Sequence, residues 1–193
     1  MKQPVWGGSR MQYQTNKDWK VKIMDQKEKR LNTWTLALCI AAMPPVWAVL
    51  APHLGVTVGA VALICAGIFV ANGNKYGDAL KIFLGFAAGD IWAVLAITVM
   101  EKMPLNPEVE LYVTLFVMGG LAVLIGEAFP KILYTPSWLA GWAIGLTIMA
   151  PLGTAGMGTL PFEIAAAMFA GVFYVGIGVD FVQQRLKKLF HSK

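Results

Sequence analysis

Asp90 is the residue in this chain most able to do chemistry. It stands in the middle of an apolar run from Ala79 to Met100, long enough to cross a bilayer as one helix. A carboxylate at that depth costs roughly 2.5–3.5 kcal/mol on insertion scales, so it is expected to face protein or water rather than lipid. Its chemistry there would be that of a hydrogen-bond acceptor for a solute, a proton relay or a selectivity element. The alternative is a neutral acid bonded to a neighbouring helix as packing glue. Lys81, nine residues earlier and about 13 Å along a helix, is too far to pair with it, and His53 belongs to the outer end.

Other candidates gather around the same theme. Trp92 follows Asp90, and Trp92-Ala-Val-Leu-Ala96 repeats word for word the upstream Trp47-Ala-Val-Leu-Ala51. Either tryptophan could narrow a passage or stack on a planar solute, or serve as a packing residue. Pro45, with Pro44, is a helix-breaking pair that frees backbone carbonyls, tolerated in a span where they meet protein or line water; Pro151 is a second such break. Glu127 and Asn72, with Asn74, could line a cytoplasmic mouth, though as boundary residues they cost little. Asp180 and Glu163 read as ordinary boundary charges. Glu101, Glu108, Glu110 and Glu163 would give an acidic outer face that mildly attracts cations.

Enzyme chemistry has no support. His53 and His191 lie far apart, Cys39 and Cys65 read as small buried hydrophobes, and no cluster has metal-ligand spacing. Gly153-Thr-Ala-Gly-Met-Gly158 is an outer turn rather than a phosphate loop. No cofactor or metal is expected.

The elements that must position these residues are membrane helices. Of the 193 residues 57% are hydrophobic and only 14% charged, against roughly 45–50% and 25% in soluble domains. Mean hydropathy is +0.60. The expected fold is all-α and integral to the membrane, with six spans near 33–51, 55–72, 79–100, 109–128, 137–154 and 162–182, the second and fifth shortest. Residues 1–30 form a basic cytoplasmic tail, 31–184 the transmembrane domain and 185–193 a second basic tail. Trp19, Val21, Ile23 and Met24 among lysines give the first tail the makings of a short surface helix. It lacks the apolar core of a cleavable signal, so the first span is expected to act as an uncleaved one.

Short connections make helical hairpins the natural units. With both termini in the cytoplasm, Lys102 is the one basic residue left outside, a strong positive-inside signature. Tyr134 and Trp138 then sit near the inner boundary and Tyr112 near the outer one, as interfacial anchors. A slide of 45 residues superposes the two Trp-Ala-Val-Leu-Ala copies. A slide of 56 sets Gly85–Gly89 on Gly141–Gly145, and one of 104 sets Ala66–Phe69 on Ala170–Phe173. Odd spans match odd and even match even, which predicts three tandem hairpins related about an axis along the membrane normal. Small residues at four-residue spacing (Gly85, Gly89 and Ala93; Gly141 and Gly145) are expected to pack helices closely.

The stretches from Trp47 through Cys65-Ala-Gly-Ile-Phe-Val-Ala-Asn-Gly73, Gly85 to Trp92, and Gly141 to Gly171-Val-Phe-Tyr174 resemble the YcdZ-like family of small bacterial inner-membrane proteins. The resemblance covers about residues 35–180 and implies membrane location without an activity. In outline the plan is also similar to the acid-gated urea channels and the acetate/succinate transporters, which assemble as hexamers. The latter's Asn-Pro signature is missing, which argues against a carboxylate substrate. The expected function is a channel or facilitator for a neutral or weakly ionised solute of the urea or amide type, in an oligomer in the bacterial inner membrane. Its competitor is a non-transporting scaffold or accessory subunit that packs with other membrane proteins.

Overall fold

The structure, a computed structural model, describes the backbone of residues 8–191 and the side chains of residues 24–190. The basic side chains of the first tail from Lys2 to Lys22, the side chains of Trp19, Val21 and Ile23, and Lys193 lie outside what is described. The fold is helical: α1 Gly8–Leu50, α2 Val61–Ala71, α3 Ala79–Lys102, α4 Pro107–Ala128, α5 Thr135–Met149, a single turn α6 Gly153–Gly156, α7 Leu160–Phe169 and α8 Gly178–His191. A π-helical stretch, Ala170–Ile177, joins α7 to α8.

Helices stand at all six expected places, but their lengths differ. Among the described residues four segments are long and apolar enough to cross a membrane: Met24–Leu54, Tyr76–Lys102, Pro107–Ala128 and Leu160–Phe190. The other two are cut short by backbone chemistry. Gly55, with a left-handed φ of 77°, ends the turn after α1, and regular helix resumes only at Val61. Pro151 and the left-handed Gly153 follow the end of α5 at Met149. A glycine without Cβ enters that region freely, and a proline supplies no N–H to continue the helix.

One expectation about α1 is corrected. Pro44 and Pro45 do not break it; both lie inside the helix, which continues to Leu50. Their fixed φ is compatible with helix, and the cost is two missing N–H donors and crowding of the carbonyls one turn back. Helix α1 begins at Gly8 and so runs through most of the first tail. Asp25 and Lys29, one turn apart, form an ion pair at 3.0 Å on this part, the spacing at which helix faces align opposite charges.

Packing follows small residues. A Cβ placed on Gly89 would lie 2.2 Å from the Trp138 carbonyl oxygen, and one on Gly141 2.4 Å from the Phe86 carbonyl oxygen. Helices α3 and α5 therefore mesh backbone to backbone. Rising positions on one face rising positions on the other (Gly85 meets Ser137, Gly145 meets Ala93), so the pair is parallel. Helix α2 makes a second parallel pair with the π-helical stretch, where a Cβ on Gly171 would come 2.5 Å from the Ala62 carbonyl oxygen. Where lipid offers no hydrophobic drive to helix pairing, such approach supplies the dispersion contacts.

Helices α1 and α8 run antiparallel. Gln183, 4% exposed, donates to the Asn32 backbone and side-chain oxygens at 3.0 Å each, and Tyr174 donates to the Met43 carbonyl at 3.4 Å. Helix α4 starts under a sequence-legible cap. The Asn106 side chain accepts from the Glu108 N–H at 3.0 Å, Pro107 opens the helix, and Glu108 and Glu110 face its positive end. It buries only the stripe Thr114, Met118, Ala122 and Gly126.

Candidate functional site

Asp90 lies at the centre of α3, 4% exposed, and its Oδ1 has no hydrogen-bond partner. The α3–α5 mesh puts it there: Gly89 lies against the Trp138–Trp142 turn, and Asp90 Oδ1 is 3.3 Å from where a Cβ of Gly145 would stand. Three more buried polar atoms in the same α3–α4–α5 group lack partners: Thr114 Oγ1, Trp138 Nε1 and Trp142 Nε1. A buried group left unsatisfied costs about 1–3 kcal/mol, and hydrocarbon offers no water to relieve it.

The contacts tie the tryptophans of α3 and α5 into one seam with α4. The Trp142 ring reaches α4, 3.6 Å from where a Cβ of Gly119 would be. Trp138 meets Trp92 edge to face, with centroids 5.5 Å apart at 88°. Trp92 donates its indole N–H to the Met118 carbonyl at 3.1 Å, one helical turn from Thr114. Trp92 is thus satisfied, whereas its neighbour Trp138 is not.

The other expected site residues stand elsewhere. Trp47 belongs to the α1–α2 pair and donates to the Gly59 carbonyl at 3.0 Å. With Pro44, Pro52, Thr57 and Gly59 it lines a cavity of about 200 Å³. Pro45 is exposed and does not line it. Glu127, exposed at the end of α4, accepts from the Thr135 hydroxyl at 3.4 Å. Asn72 closes α2 and donates to Asp78 at 3.0 Å. Asp90 and Trp92 share α3 but, two residues apart, point to different faces of it; Trp47, Pro45, Glu127 and Asn72 stand elsewhere.

Reading the sequence missed several groups. Trp138, expected as an interfacial anchor, is 5% exposed inside the seam; the close approach of Gly89 and Gly141 pulls its turn inward. Its signal was the Trp138-x-x-Gly141-Trp142 spacing, which puts both indoles beside the glycine contact. Asp180 is no ordinary boundary charge either. It is 8% exposed and accepts from the Asn74 amide at 3.1 Å, the Gln184 amide at 2.7 Å and the Tyr76 hydroxyl. At the opposite end Glu101 takes the Thr154 N–H at 2.7 Å and its hydroxyl at 2.5 Å. Glu163 takes the same two groups of Thr57 at 2.9 and 2.6 Å. These acids clamp loops, so they are less free to attract cations than their sequence positions implied.

Among the described residues no group of three His, Cys, Asp or Glu could hold a metal ion. A family described as a protein of unknown function, DUF1097, matches residues 37–184. The chain belongs to the DUF1097 family. The match takes in α2 to α7, the first half of α8 and the apolar last third of α1, and hence Asp90 and the tryptophans of α3 and α5; the basic part of α1 lies outside it. Comparison with curated proteins and with solved structures gives no match.

Proposed function

We propose that this multi-pass membrane protein passes a small neutral or weakly ionised solute across the bacterial inner membrane, without catalysis. The carrying observation is Asp90: an ionisable side chain at mid-helix, 4% exposed, with an unpartnered oxygen. A carboxyl group is expensive inside a membrane, and the usual return on that expense is a solute or ion path. In this reading all six helical segments act as spans, with α2 and α5 extended by the turns beside them. Both termini face the cytoplasm, in keeping with the basic residues of the ends and inner loops. The parallel pairings of α3 with α5 and of α2 with the π-helical stretch suit three tandem hairpins of one orientation, and the outline likeness to hexameric channels suits an oligomer. The finer likeness to the YcdZ-like proteins belongs to the same reading.

The test is stopped-flow light scattering on proteoliposomes offered urea, acetamide, formamide, glycerol and ammonium acetate in turn. Asp90→Asn is expected to lower the flux of the permeant solute by about tenfold, the worth of one hydrogen bond to a charged group. Flux equal to that of empty liposomes for every solute removes the transport reading. A second reading, a scaffold or accessory subunit, is favoured by α4. Its large apolar residues Leu111, Phe116 and Leu124 are 47%, 71% and 69% exposed, a face that lipid or another membrane protein would cover.

A further inference from the structure

The last turns of α8 carry two cations that nearby acids do not balance. Arg185 has Phe181 and Val182 four and three residues before it, and Lys188 and Leu189 three and four residues after it. On a helix these positions share one face, and all five side chains are exposed. The opposite face is used within the fold. Val179 and Gln183 are buried against α1, and Asp180 is held by Asn74, Tyr76 and Gln184.

The neighbouring part of α1, brought alongside by the Gln183–Asn32 bonds, shows the contrast. There Lys29 is paired with Asp25 at 3.0 Å, and Glu28 follows Lys27. The exposed face of α8 carries no acid, and among the described residues neither Arg185 nor Lys188 has a carboxylate within ion-pair distance. Arg185 is instead held over the Phe181 ring, 5.1 Å from its centroid. A ring attracts a guanidinium without using its N–H donors. The fork that matches two oxygens of a phosphate therefore stays free.

The depth of this face is set by the other end of the same segment. Glu163, which takes the Thr57 N–H and hydroxyl, stands eighteen residues before Phe181, about 27 Å at 1.5 Å per residue. The hydrocarbon core is about 30 Å thick, so the chain from Phe181 to Leu189 leaves it and enters the head-group layer. Phe181 and Val182 then border the acyl chains, and Arg185 and Lys188 stand among the phosphates. Leu189, beside Lys188, is 67% exposed.

We propose that this face of α8 binds an anionic phospholipid, with its phosphate on Arg185 and Lys188 and its glycerol and acyl carbons along Phe181, Val182 and Leu189. Charge sets the partner. Two cations with no acid on their face favour a net negative head group, whereas a zwitterionic one brings its own ammonium into the same field. The apolar flanks favour a lipid over a free phosphate. The inference needs Leu160–Phe190 to cross the membrane, but it does not need the protein to transport anything.

The test is native mass spectrometry of the full chain in detergent, titrated with phosphatidylglycerol and with phosphatidylcholine of the same acyl chains. Phosphatidylglycerol is expected to bind saturably and more tightly. Arg185→Gln with Lys188→Gln should weaken its binding about thirtyfold, the joint worth of two cations beside an anionic lipid. Lys27→Gln with Lys29→Gln removes the same charge from α1 and is expected to leave the affinity almost unchanged. All four side chains are exposed, and an unaltered thermal midpoint shows that the variants are folded. Three results overturn the inference: equal binding of phosphatidylcholine, equal weakening by the two double variants, and full affinity without Arg185 and Lys188. Displacement of the lipid by an equal concentration of glycerophosphate also overturns it, by marking a site for a free phosphate.

Discussion

Gly89→Ala is expected to cost about 3 kcal/mol, the upper part of the range for overpacking a filled interior. The new methyl would lie 2.2 Å from the Trp138 carbonyl oxygen and 2.5 Å from the Trp142 nitrogen. Both are backbone atoms, and neither can turn aside as a flexible side chain would. Alanine's better helix propensity returns about 1 kcal/mol at most, so the steric term wins. At about 2–4 °C per kcal/mol for a chain of this size, the thermal midpoint in detergent should fall by several degrees. Gly67→Ala and Gly120→Ala, where an added Cβ meets nothing within 4 Å, are the controls and should be neutral or slightly stabilising. A Gly89→Ala protein as stable as these controls would mean that α3 and α5 do not pack as described.

The second large effect belongs to Asp180. Three donors converge on it: Asn74 and Tyr76 from the loop between α2 and α3, and Gln184 from its own helix. Asp180→Ala removes the charge and leaves all three without their acceptor. A hydrogen bond to a charged group contributes about 1.5–3 kcal/mol, and water can replace part of that at the exposed Tyr76 and Gln184. Asn74 holds a left-handed φ of 55°, a conformation that needs surrounding contacts to persist in a residue other than glycine. The loop around residues 72–78 should therefore loosen first. Hydrogen exchange of its amides is expected to accelerate in the variant while α4 is unchanged. Equal exchange in the two proteins would show that the cluster does not anchor this loop.

How much of this was legible in the chain follows from what each signal encodes. A bilayer demands long apolar runs, so the places of all six helices could be read, whereas the early ends at Gly55 and Gly153 depend on single backbone conformations. The spacing of Gly85, Gly89, Gly141 and Gly145 announced close packing, and the slide of 56 residues paired two stretches that lie against each other. Periodicity does not say which helices meet, so the hairpin plan did not foretell that α1 would pack chiefly on α8. Asp90 stood out because a carboxyl group in an apolar run is conspicuous. Trp138, Trp142 and Thr114 did not, since whether an indole or hydroxyl finds a partner depends on residues far away in the chain. Asp180 was misread for a related reason: its partners Asn74 and Tyr76 lie more than a hundred positions earlier.

The two glycine-lined pairs also govern how the molecule can deform. Where backbones touch, a sliding helix must climb over its neighbour's carbonyls, so α3 with α5, and α2 with the π-helical stretch, each move as one body. Between them lies a softer layer. Phe83 of α3 meets Phe169 and Phe173 edge-on at 5.5 and 6.0 Å, and those two rings lie 4.6 Å apart. Rings that meet at their edges accept small changes of angle without opening a void, and packed elements shear past one another through such side-chain layers. The phenylalanine contact accordingly joins α3 to α7 and the π-helical stretch through side chains, where a small change of angle costs least.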